Sequence, residues 1–230
     1  MPGAAADLAD RYPLTEVPVP VGGRVWSITA VQDQDALVES VRTEEDLATF
    51  PFGLMLWAAA IGLAERLTEE PSLVAGKRVL ELGAGVGLPG LVAATLGAAE
   101  VTQTDYQEDA LELARRNARA NRIHNIAVRQ GDWRRFFTDG LPYDLVIASD
   151  VLYERTLHAP LAALLPRLIA PHGAILLSDP LRPQAMEFLE KQIESGGAWN
   201  VAYEGRRVTM PGDKPETKDI ALIWLRRKQA

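Results

Sequence analysis

Three glycines on alternate positions separate two apolar segments of the chain. The stretch Val79–Gly90 reads VLELGAGVGLPG, with glycine at Gly83, Gly85 and Gly87. A strand that turns into a helix on a glycine loop brings its backbone close to a ligand and presents unpaired N–H groups to it. A dinucleotide-binding fingerprint needs glycine at its sixth position, which is Leu88 here. The loop therefore predicts a ligand other than a dinucleotide; the alternative is a tight turn without a ligand.

Acidic side chains follow the next two predicted strands. Asp105 lies eighteen residues beyond Gly87, where a carboxylate is placed to accept both ribose hydroxyls of an adenosine. Its alternative role, with Glu108, is a helix capping box. Asp132 and Trp133 come after the following strand, where the acid suits an adenine amino group and the indole suits the ring. A helix cap beside a core tryptophan is the alternative.

The segment ASDVLYE follows the fourth strand of the predicted core. Asp150 and Tyr153 are three residues apart, so they face the cavity mouth together if a helical turn begins at Asp150. Capping of that turn by Ser149 or Asp150 is the alternative. After the fifth strand, the segment Ser178–Arg182 is a further candidate rim, or else a proline-stopped strand followed by a helix start.

Short apolar strands alternate with helices after Gly76. This pattern predicts an α/β fold with a single Rossmann-like, doubly wound, seven-stranded and mostly parallel sheet that ends in an antiparallel C-terminal hairpin. Ligands bind beyond the carboxyl ends of the strands in such sheets. The predicted strands are Arg78–Leu82, Glu100–Thr104, Asn125–Gln130, Tyr143–Ala148, Gly173–Leu177, Ala198–Tyr203 and Asp219–Leu225, and the predicted helices include Leu88–Leu96, Glu108–Asn121 and Gln184–Ile193.

The chain before this core predicts smaller elements. Residues 1–23 are expected to form an N-terminal tail, and residues 24–230 one domain, with a hairpin and helix over 24–75 and the core over 76–230. The hairpin is predicted from Arg24–Ala30 and Ala36–Val41. Leu54–Leu67 predicts the helix that leads into the core.

Composition limits the function classes. The 230 residues are 47% hydrophobic and 24% charged, with a net charge of −7 and no cysteine. The charge disfavours nucleic acid as a partner and is compatible with a cationic substrate. Disulfides and cysteine-based metal sites are excluded, and a metal site is not expected because the three histidines do not cluster. Without a signal peptide or an apolar span, the chain is expected to be cytoplasmic with no membrane partner. A monomer is expected as well.

Three stretches together resemble the seven-β-strand S-adenosylmethionine-dependent methyltransferases. They are ELGAGVGLPG (Glu81–Gly90), SDVLY (Ser149–Tyr153) and FGLMLWAAAIGLAERL (Phe52–Leu67). The likeness is narrower with methyltransferase family 16, which contains many protein-lysine methyltransferases. Many members carry proline or aspartate after the tryptophan, whereas Ala58 follows Trp57 here.

The resemblance implies S-adenosylmethionine as the cofactor and Asp150 and Tyr153 as the catalytic residues where cofactor and acceptor meet. It assigns the cofactor site to Trp57, Glu81, Gly83, Ala84, Gly85, Gly87, Asp105, Tyr106, Asp132, Trp133 and Ser149. The implied reaction is N-methylation of an amine, with a protein lysine as acceptor. A small-molecule N-methyltransferase and a SAM-binding module without turnover are the alternatives, and the glycine spacing disfavours a nicotinamide oxidoreductase.

Overall fold

The computed structural model of the protein describes residues 7–32, 42–43, 50–194, 199–212 and 215–228. The predicted strand Ala36–Val41 lies outside these residues. Two sheets are present in the described part: a two-stranded hairpin and a seven-stranded sheet. No helix within these ranges is both long and apolar enough to cross a membrane.

The seven-stranded sheet confirms the predicted fold class. Its strands are β3 (Arg78–Leu82), β4 (Glu100–Asp105), β5 (Ile126–Gln130), β6 (Tyr143–Ser149), β7 (Ile169–Asp179), β8 (Trp199–Met210) and β9 (Glu216–Arg227). Their spatial order is β5-β4-β3-β6-β7-β9-β8, with the five strands from β5 to β7 parallel and β9 antiparallel to both β7 and β8. The central strands β3 and β6 are buried on both faces, as their continuous apolar sequences predict.

Helices cover both faces of this sheet, and two separate hydrophobic clusters fill the space beneath them. The apolar stripe of the fourth helix packs on β4 and β5, while its polar face meets the solvent. The helices are α1 (Leu8–Arg11), α2 (Ala58–Glu69), α3 (Leu88–Thr95), α4 (Glu108–Ala120), α5 (His158–Leu168) and α6 (Pro183–Glu194), with 3₁₀ turns at Phe52–Leu54, Pro71–Leu73, Trp133–Arg135 and Arg155–Leu157.

The N-terminal hairpin uses different residues from those predicted. The strand β1 (Leu14–Val21) pairs with β2 (Arg24–Val31), so this part of the predicted 1–23 tail is ordered structure. Two prolines in β1 argued against a strand in the sequence. Proline is tolerated in an edge strand because the unpaired edge of that strand needs no N–H donor. Gly22 and Gly23, both in the left-handed region, form the two-residue turn.

Side chains of α4 attach this hairpin to the core. Asn117 Oδ1 accepts a hydrogen bond from Thr29 N (2.8 Å), and Asn117 Nδ2 donates to Thr29 O (3.1 Å) and Val86 O (2.8 Å). One turn later, Asn121 makes the same pair of contacts with Ser27. The two asparagines thereby satisfy backbone groups of β2 that would otherwise form an open strand edge.

The helix predicted from Leu54 begins four residues later. A 3₁₀ turn over Phe52–Leu54 precedes α2, and the backbone at Trp57 is extended (φ −101°, ψ 146°). Trp57 Nε1 donates to Phe52 O at 3.0 Å and ties the two segments together. The apolar run alone could not separate a helix from a buried loop. The consequence is that Trp57 stands at the helix start, where it lines a cavity.

Candidate active site

A cavity of about 470 Å³ opens at the carboxyl ends of the parallel strands, where the strand order predicts a ligand. This volume is within the range of small-molecule sites. Loops after β3, β4, β5 and β6 form most of the wall, and the segment before α2 closes one side. The lining residues are Phe52, Gly53, Met55, Trp57, Ala60, Gly83, Ala84, Gly85, Val86, Asp105, Tyr106, Gln107, Gly131, Asp132, Trp133, Arg134, Ser149, Asp150, Val151, Tyr153, Glu154, Leu157 and Arg182.

The glycine loop supplies a wall without side chains. Gly83, Gly85 and Gly87 all adopt left-handed φ values, of 60°, 53° and 84°. A Cβ atom on Gly83 would lie 2.8 Å from the Val151 side chain, and one on Gly85 would lie 3.1 Å from Gly53 O. Gly83 and Gly85, with Ala84 between them, line the cavity. The loop therefore lets a ligand approach the backbone closely, as its sequence predicts.

Glu81 and Gly87 lie behind this wall rather than on it, although both were expected to bind the cofactor directly. Glu81 is fully buried, and its Oε2 accepts hydrogen bonds from Gly90 N (3.0 Å) and Gln103 Nε2 (2.7 Å). Gln103 Nε2 also donates to Gly87 O at 2.7 Å. Burial raises the pKa of Glu81 to about 8. Both residues hold the loop from beneath and shape it.

Asp105 lies at the end of β4 with only 6% of its surface exposed. Its Oδ2 accepts from Gly85 N (3.1 Å) and its Oδ1 from Gln107 N (3.0 Å), while burial raises its pKa. The alternative capping box with Glu108 is not formed, because Gln107 occupies the cap position of α4. Tyr106 follows on the wall, half exposed. Asp105 thus fixes the glycine loop and faces the same cavity.

Asp132 and Trp133 line the cavity beyond β5. Asp132 also caps the short 3₁₀ turn by accepting from Arg134 N at 3.0 Å, so the capping role weighed as an alternative is present as well. The Arg134 guanidinium hydrogen-bonds the carboxylate and holds the pKa of Asp132 below its usual value. The acid therefore stays charged beside the indole.

Asp150 and Tyr153 line the cavity as predicted, but the backbone that positions them differs from the predicted helical turn. No helical turn begins at Asp150, since the next helical residues are the 3₁₀ turn Arg155–Leu157. Asp150 instead adopts a left-handed φ of 53°, and its N–H donates to Ser178 O at 2.8 Å. The Tyr153 ring lies 5.2 Å from the Phe52 ring, and burial raises the pKa of its hydroxyl. An acid and an aromatic pair therefore meet at one side of the cavity, next to Ser149.

The segment Ser178–Arg182 supplies one further wall residue, Arg182, whose guanidinium hydrogen-bonds both carboxylate oxygens of Asp150. Asp179, fully buried, accepts from Leu181 N at 2.7 Å. Its burial, together with the Asp150 charge, raises the pKa of Asp179 to about 6. The helix start weighed as the alternative is also present, because α6 begins directly after Arg182.

Several wall residues were not expected from the sequence. Phe52, Gly53 and Met55 precede Trp57 and close the cavity from the side of α2. Gly53 is needed there, because a Cβ atom would lie 2.8 Å from Ala110 Cβ. The adjacent phenylalanines and the glycine were the available signal, but only the pairing of this segment with the Gly85 backbone shows their role.

The donor set fits an adenosyl ligand. A buried carboxylate at Asp105 suits ribose hydroxyls, a bare backbone at Gly83–Gly85 suits a close-lying chain, and Trp133 offers an apolar face beside Asp132. These groups lie on one continuous wall, as the resemblance implies. Asp150, Tyr153 and Arg182 stand together on the wall of the same cavity.

The comparisons with known proteins agree with this geometry. A family model described as lysine methyltransferase matches residues 37–195. The chain is 33% identical to protein N-lysine methyltransferase METTL21A of Xenopus tropicalis over 66% of this chain and 72% of that protein. It is 36% identical to histone-arginine methyltransferase METTL23 of Xenopus laevis over 58% of each chain.

A solved structure shows the same fold. The precorrin-6y C5,15-methyltransferase of Geobacter metallireducens superposes with a TM-score of 0.59 over 74% of this chain and 86% of that one, at 15% identity. This likeness concerns the fold alone. The family match covers more than half of the chain and includes the glycine loop and the SDVLY segment. The chain therefore belongs to the lysine methyltransferase family and is a methyltransferase that uses S-adenosylmethionine.

Proposed function

We propose that the protein transfers a methyl group from S-adenosylmethionine to the side-chain amine of a protein lysine. The observation that carries the proposal is the cluster of Asp150, Tyr153 and Phe52 on the cavity wall, beside the glycine loop. Its likeness to METTL21A, a protein N-lysine methyltransferase, supports the choice of acceptor. The net charge of −7 favours a cationic acceptor.

The cofactor wall would hold the ligand through groups described above. Asp105 accepts the ribose hydroxyls, Asp132 and Trp133 contact the adenine, and the backbone at Gly83–Gly85 contacts the methionine portion. Trp57 closes the pocket from the start of α2. S-adenosylmethionine supplies an electrophilic methyl group on its sulfonium when bound. The protein need not activate that group and contributes binding and orientation instead.

The acceptor side must present a neutral amine, because an ammonium has no lone pair. Tyr153 and Phe52 form an aromatic wall that excludes water, and partial desolvation lowers the pKa of an incoming lysine. Asp150, whose side chain is only 7% exposed, accepts an N–H of the amine and orients its lone pair. An amine held in this way is close to the geometry of attack.

A protein arginine is the second candidate acceptor. The likeness to METTL23, a histone-arginine methyltransferase, is the observation that favours it. A guanidinium also suits an acidic and aromatic site. The experiment below separates the two acceptors by the methylated amino acid that forms.

The test is labelled-methyl transfer into host lysate. Wild-type protein should label the protein fraction, and acid hydrolysis should release methylated lysine. Asp150→Asn should reduce this labelling at least about a hundredfold, because an amide group replaces the carboxylate oxygen that accepts from the amine and orients it. The same variant should bind S-adenosylhomocysteine within about threefold of wild type, because Asp105 and the glycine loop are intact.

Three outcomes would contradict the proposal. Label confined to the small-molecule fraction would favour a small-amine acceptor. Methylated arginine in place of lysine would favour the second candidate. Labelling by Asp150→Asn at the wild-type level would show that Asp150 does not orient the acceptor amine.

The proposal extends to the setting of the enzyme: a cytoplasmic monomer that does not bind nucleic acid. The absence of cysteine and the net negative charge support it. Sedimentation of the purified protein tests the monomer, and retention on DNA at low salt would contradict the last part.

A further inference from the structure

An ion pair stands at the acceptor side of the cavity. Arg182 Nη1 and Nη2 each hydrogen-bond one carboxylate oxygen of Asp150. The Asp150 side chain is 7% exposed, and that of Arg182 is 35% exposed. Both residues line the cavity. The Asp150 carboxylate is therefore shielded from solvent, and the pair lines the cavity that the proposed acceptor would enter.

Left-handed backbone lies at Asp150 and directly before Arg182. Asp150 has a φ of 53°, and Leu181 has a φ of 57°. The latter is uncommon and unfavourable for a branched side chain. The buried carboxylate of Asp179 fixes that turn by accepting from Leu181 N (2.7 Å) and Arg182 N (3.3 Å). Strain kept in this way around a cavity is typical of a functional contact.

The charge of the pair decides what the acceptor would meet. An unpaired Asp150 carboxylate would stabilise a lysine ammonium and oppose its deprotonation. The Arg182 guanidinium, which hydrogen-bonds both carboxylate oxygens, cancels the charge of Asp150. It stays protonated throughout the physiological pH range. The carboxylate oxygens keep further lone pairs that can accept an N–H from the amine. The pair thus orients an amine without favouring its protonated form.

We propose that Arg182 is a positioning residue for methyl transfer, which neutralises and fixes Asp150 so that the acceptor amine binds in its unprotonated form. This inference rests on the proposed function. Arg182 acts through Asp150 and was not assigned any role by the family resemblance.

Ligand binding tests the charge at this place without any acceptor. Sinefungin carries an ammonium-bearing carbon where S-adenosylmethionine carries its methylsulfonium, whereas S-adenosylhomocysteine is neutral there. The ratio of their dissociation constants, measured by calorimetry at pH 7, therefore reports the local charge and cancels effects on the shared pocket. We expect Arg182→Gln to shift this ratio about tenfold in favour of sinefungin, since it leaves Asp150 unpaired.

Two further variants complete a thermodynamic cycle. Asp150→Asn leaves Arg182 unpaired and should shift the ratio about tenfold the other way. The double variant has lost both charges and should return to the wild-type ratio. Arg182→Lys, which keeps the charge, should also stay close to wild type. If Arg182→Gln does not fold, Asp150→Asn and the double variant still decide the outcome.

Arg155→Gln is the matched control, because Arg155 forms an exposed ion pair with Glu187 and does not line the cavity. A ratio that changes less than twofold in both Arg182→Gln and Asp150→Asn would overturn the proposal. So would an equal shift in Arg155→Gln.

The pH dependence of labelling gives a second readout that a merely structural role would not move. In Arg182→Gln, the rising limb of the initial labelling rate should move up by about one pH unit, because the bare carboxylate raises the amine pKa. An unmoved limb contradicts the proposal. Besides Arg182, Asp150 interacts electrostatically with Asp179 and Tyr153, and Tyr153 in turn with Glu154, Tyr106 and Asp105.

The two proposals fail in different ways. If wild-type protein does not bind S-adenosylhomocysteine, the proposed function fails before any variant is compared. If it binds but labels no protein, the acceptor class fails, while the sinefungin ratio still decides the role of Arg182.

Discussion

Glu81 is a carboxyl group at the centre of the fold with no surface exposed to solvent. Its Oε2 accepts two hydrogen bonds, from Gly90 N and Gln103 Nε2. Within the described residues, Glu81 Oε1 and Gln103 Oε1 have no hydrogen-bond partner. A protonated carboxyl group donates from one oxygen and accepts at the other. These contacts, together with a pKa near 8, indicate that Glu81 is neutral at pH 7.

This assignment makes the stability of the protein depend on pH. A pKa raised on folding favours the folded state at low pH, and that contribution is lost as the pH rises from about 4.5 towards about 8. Glu81→Gln keeps the size and the accepting oxygen but cannot ionise. We expect the free energy of unfolding of Glu81→Gln, relative to that of wild type, to rise by roughly 1 kcal/mol for each unit of increasing pH across that window.

Urea unfolding at pH 5, 6, 7 and 8 measures this gain. Glu108→Gln is the control, because Glu108 is exposed and pairs with Arg115 at the surface. Parallel pH curves for wild type and Glu81→Gln would show that Glu81 is ionised in the folded protein.

The residue scale also shows what the sequence could and could not predict of the site. Asp105, Asp132 and Asp150 were candidates because each lies within two residues of a predicted strand end, and strand ends converge in a parallel sheet. The role of Asp150 came from the family resemblance. The pairing of Asp150 with Arg182 was not, because it depends on a left-handed turn at Leu181. A left-handed turn at a residue other than glycine has no recognisable signal in the sequence.

At the scale of elements, the β3–α3 loop and the segment before α2 meet backbone to backbone. Gly85 packs against Gly53 and lines the cavity at the same time. Gly85→Val would place a branched side chain between the two segments and into the cavity. We expect it to weaken S-adenosylhomocysteine binding at least about a hundredfold, since close packing gives no room to relax.

Gly76→Val is the matched control for backbone strain. Gly76 has a similar left-handed φ of 69°, but a Cβ atom there meets nothing within 4 Å. Both variants should lose about 1–2 kcal/mol of stability from the φ value alone. Calorimetry with both proteins separates strain from occlusion, and equal loss of binding would refute the role of Gly85 as cavity wall.

The attachment of the N-terminal hairpin makes a second prediction about elements. Asn117→Ala leaves the N–H and C=O of Thr29 and the carbonyl of Val86 without their side-chain partner. Each buried group that loses its hydrogen bond in this way costs about 1–3 kcal/mol of stability when water cannot replace the bond. We expect a loss of roughly 2–5 kcal/mol in urea unfolding, because three groups are affected.

Asn125→Ala serves as the control, since Asn125 is exposed in the loop between α4 and β5. A loss no larger than that of the control would mean that the hairpin is held by its apolar contacts alone.

Elements were predicted well where apolar runs were short and bounded, and poorly where packing decides the conformation. The seven core strands were all found, although β7, β8 and β9 extend beyond their predicted bounds. The strand β1 was missed, since Pro18 and Pro20 argue against a strand unless it lies at an edge. The start of α2 was misplaced, because Met55 and Leu56 are buried in a loop.

At the scale of the whole molecule, one cavity joins segments that are far apart in the sequence. Its wall runs from Phe52 to Arg182 and includes the loops after β3, β4, β5 and β6. A ligand that bridges these loops binds the folded state and has no comparable site in the unfolded chain. Its free energy of binding therefore adds to the stability of the entire fold.

The size of this effect follows from mass action. A ligand present at a hundred times its dissociation constant adds about 2.7 kcal/mol. For a chain of 230 residues, each kcal/mol raises the melting temperature by about 2–4 °C, so S-adenosylhomocysteine at that excess should raise it by about 5–10 °C. NAD at the same concentration should leave it unchanged, because the glycine spacing gives no cradle for pyrophosphate.

Thermal unfolding, monitored by circular dichroism, measures the change in melting temperature that each ligand causes in the same protein preparation. Gly85→Val should lose the shift with S-adenosylhomocysteine, whereas Gly76→Val should keep it although both melt at lower temperature than wild type. A shift with NAD of the same size would mean that the cavity recognises adenosine alone and not the methionine portion. In that event the backbone wall at Gly83–Gly85 would have no part in selecting the cofactor, and selectivity would have to come from Asp105, Asp132 and Trp133.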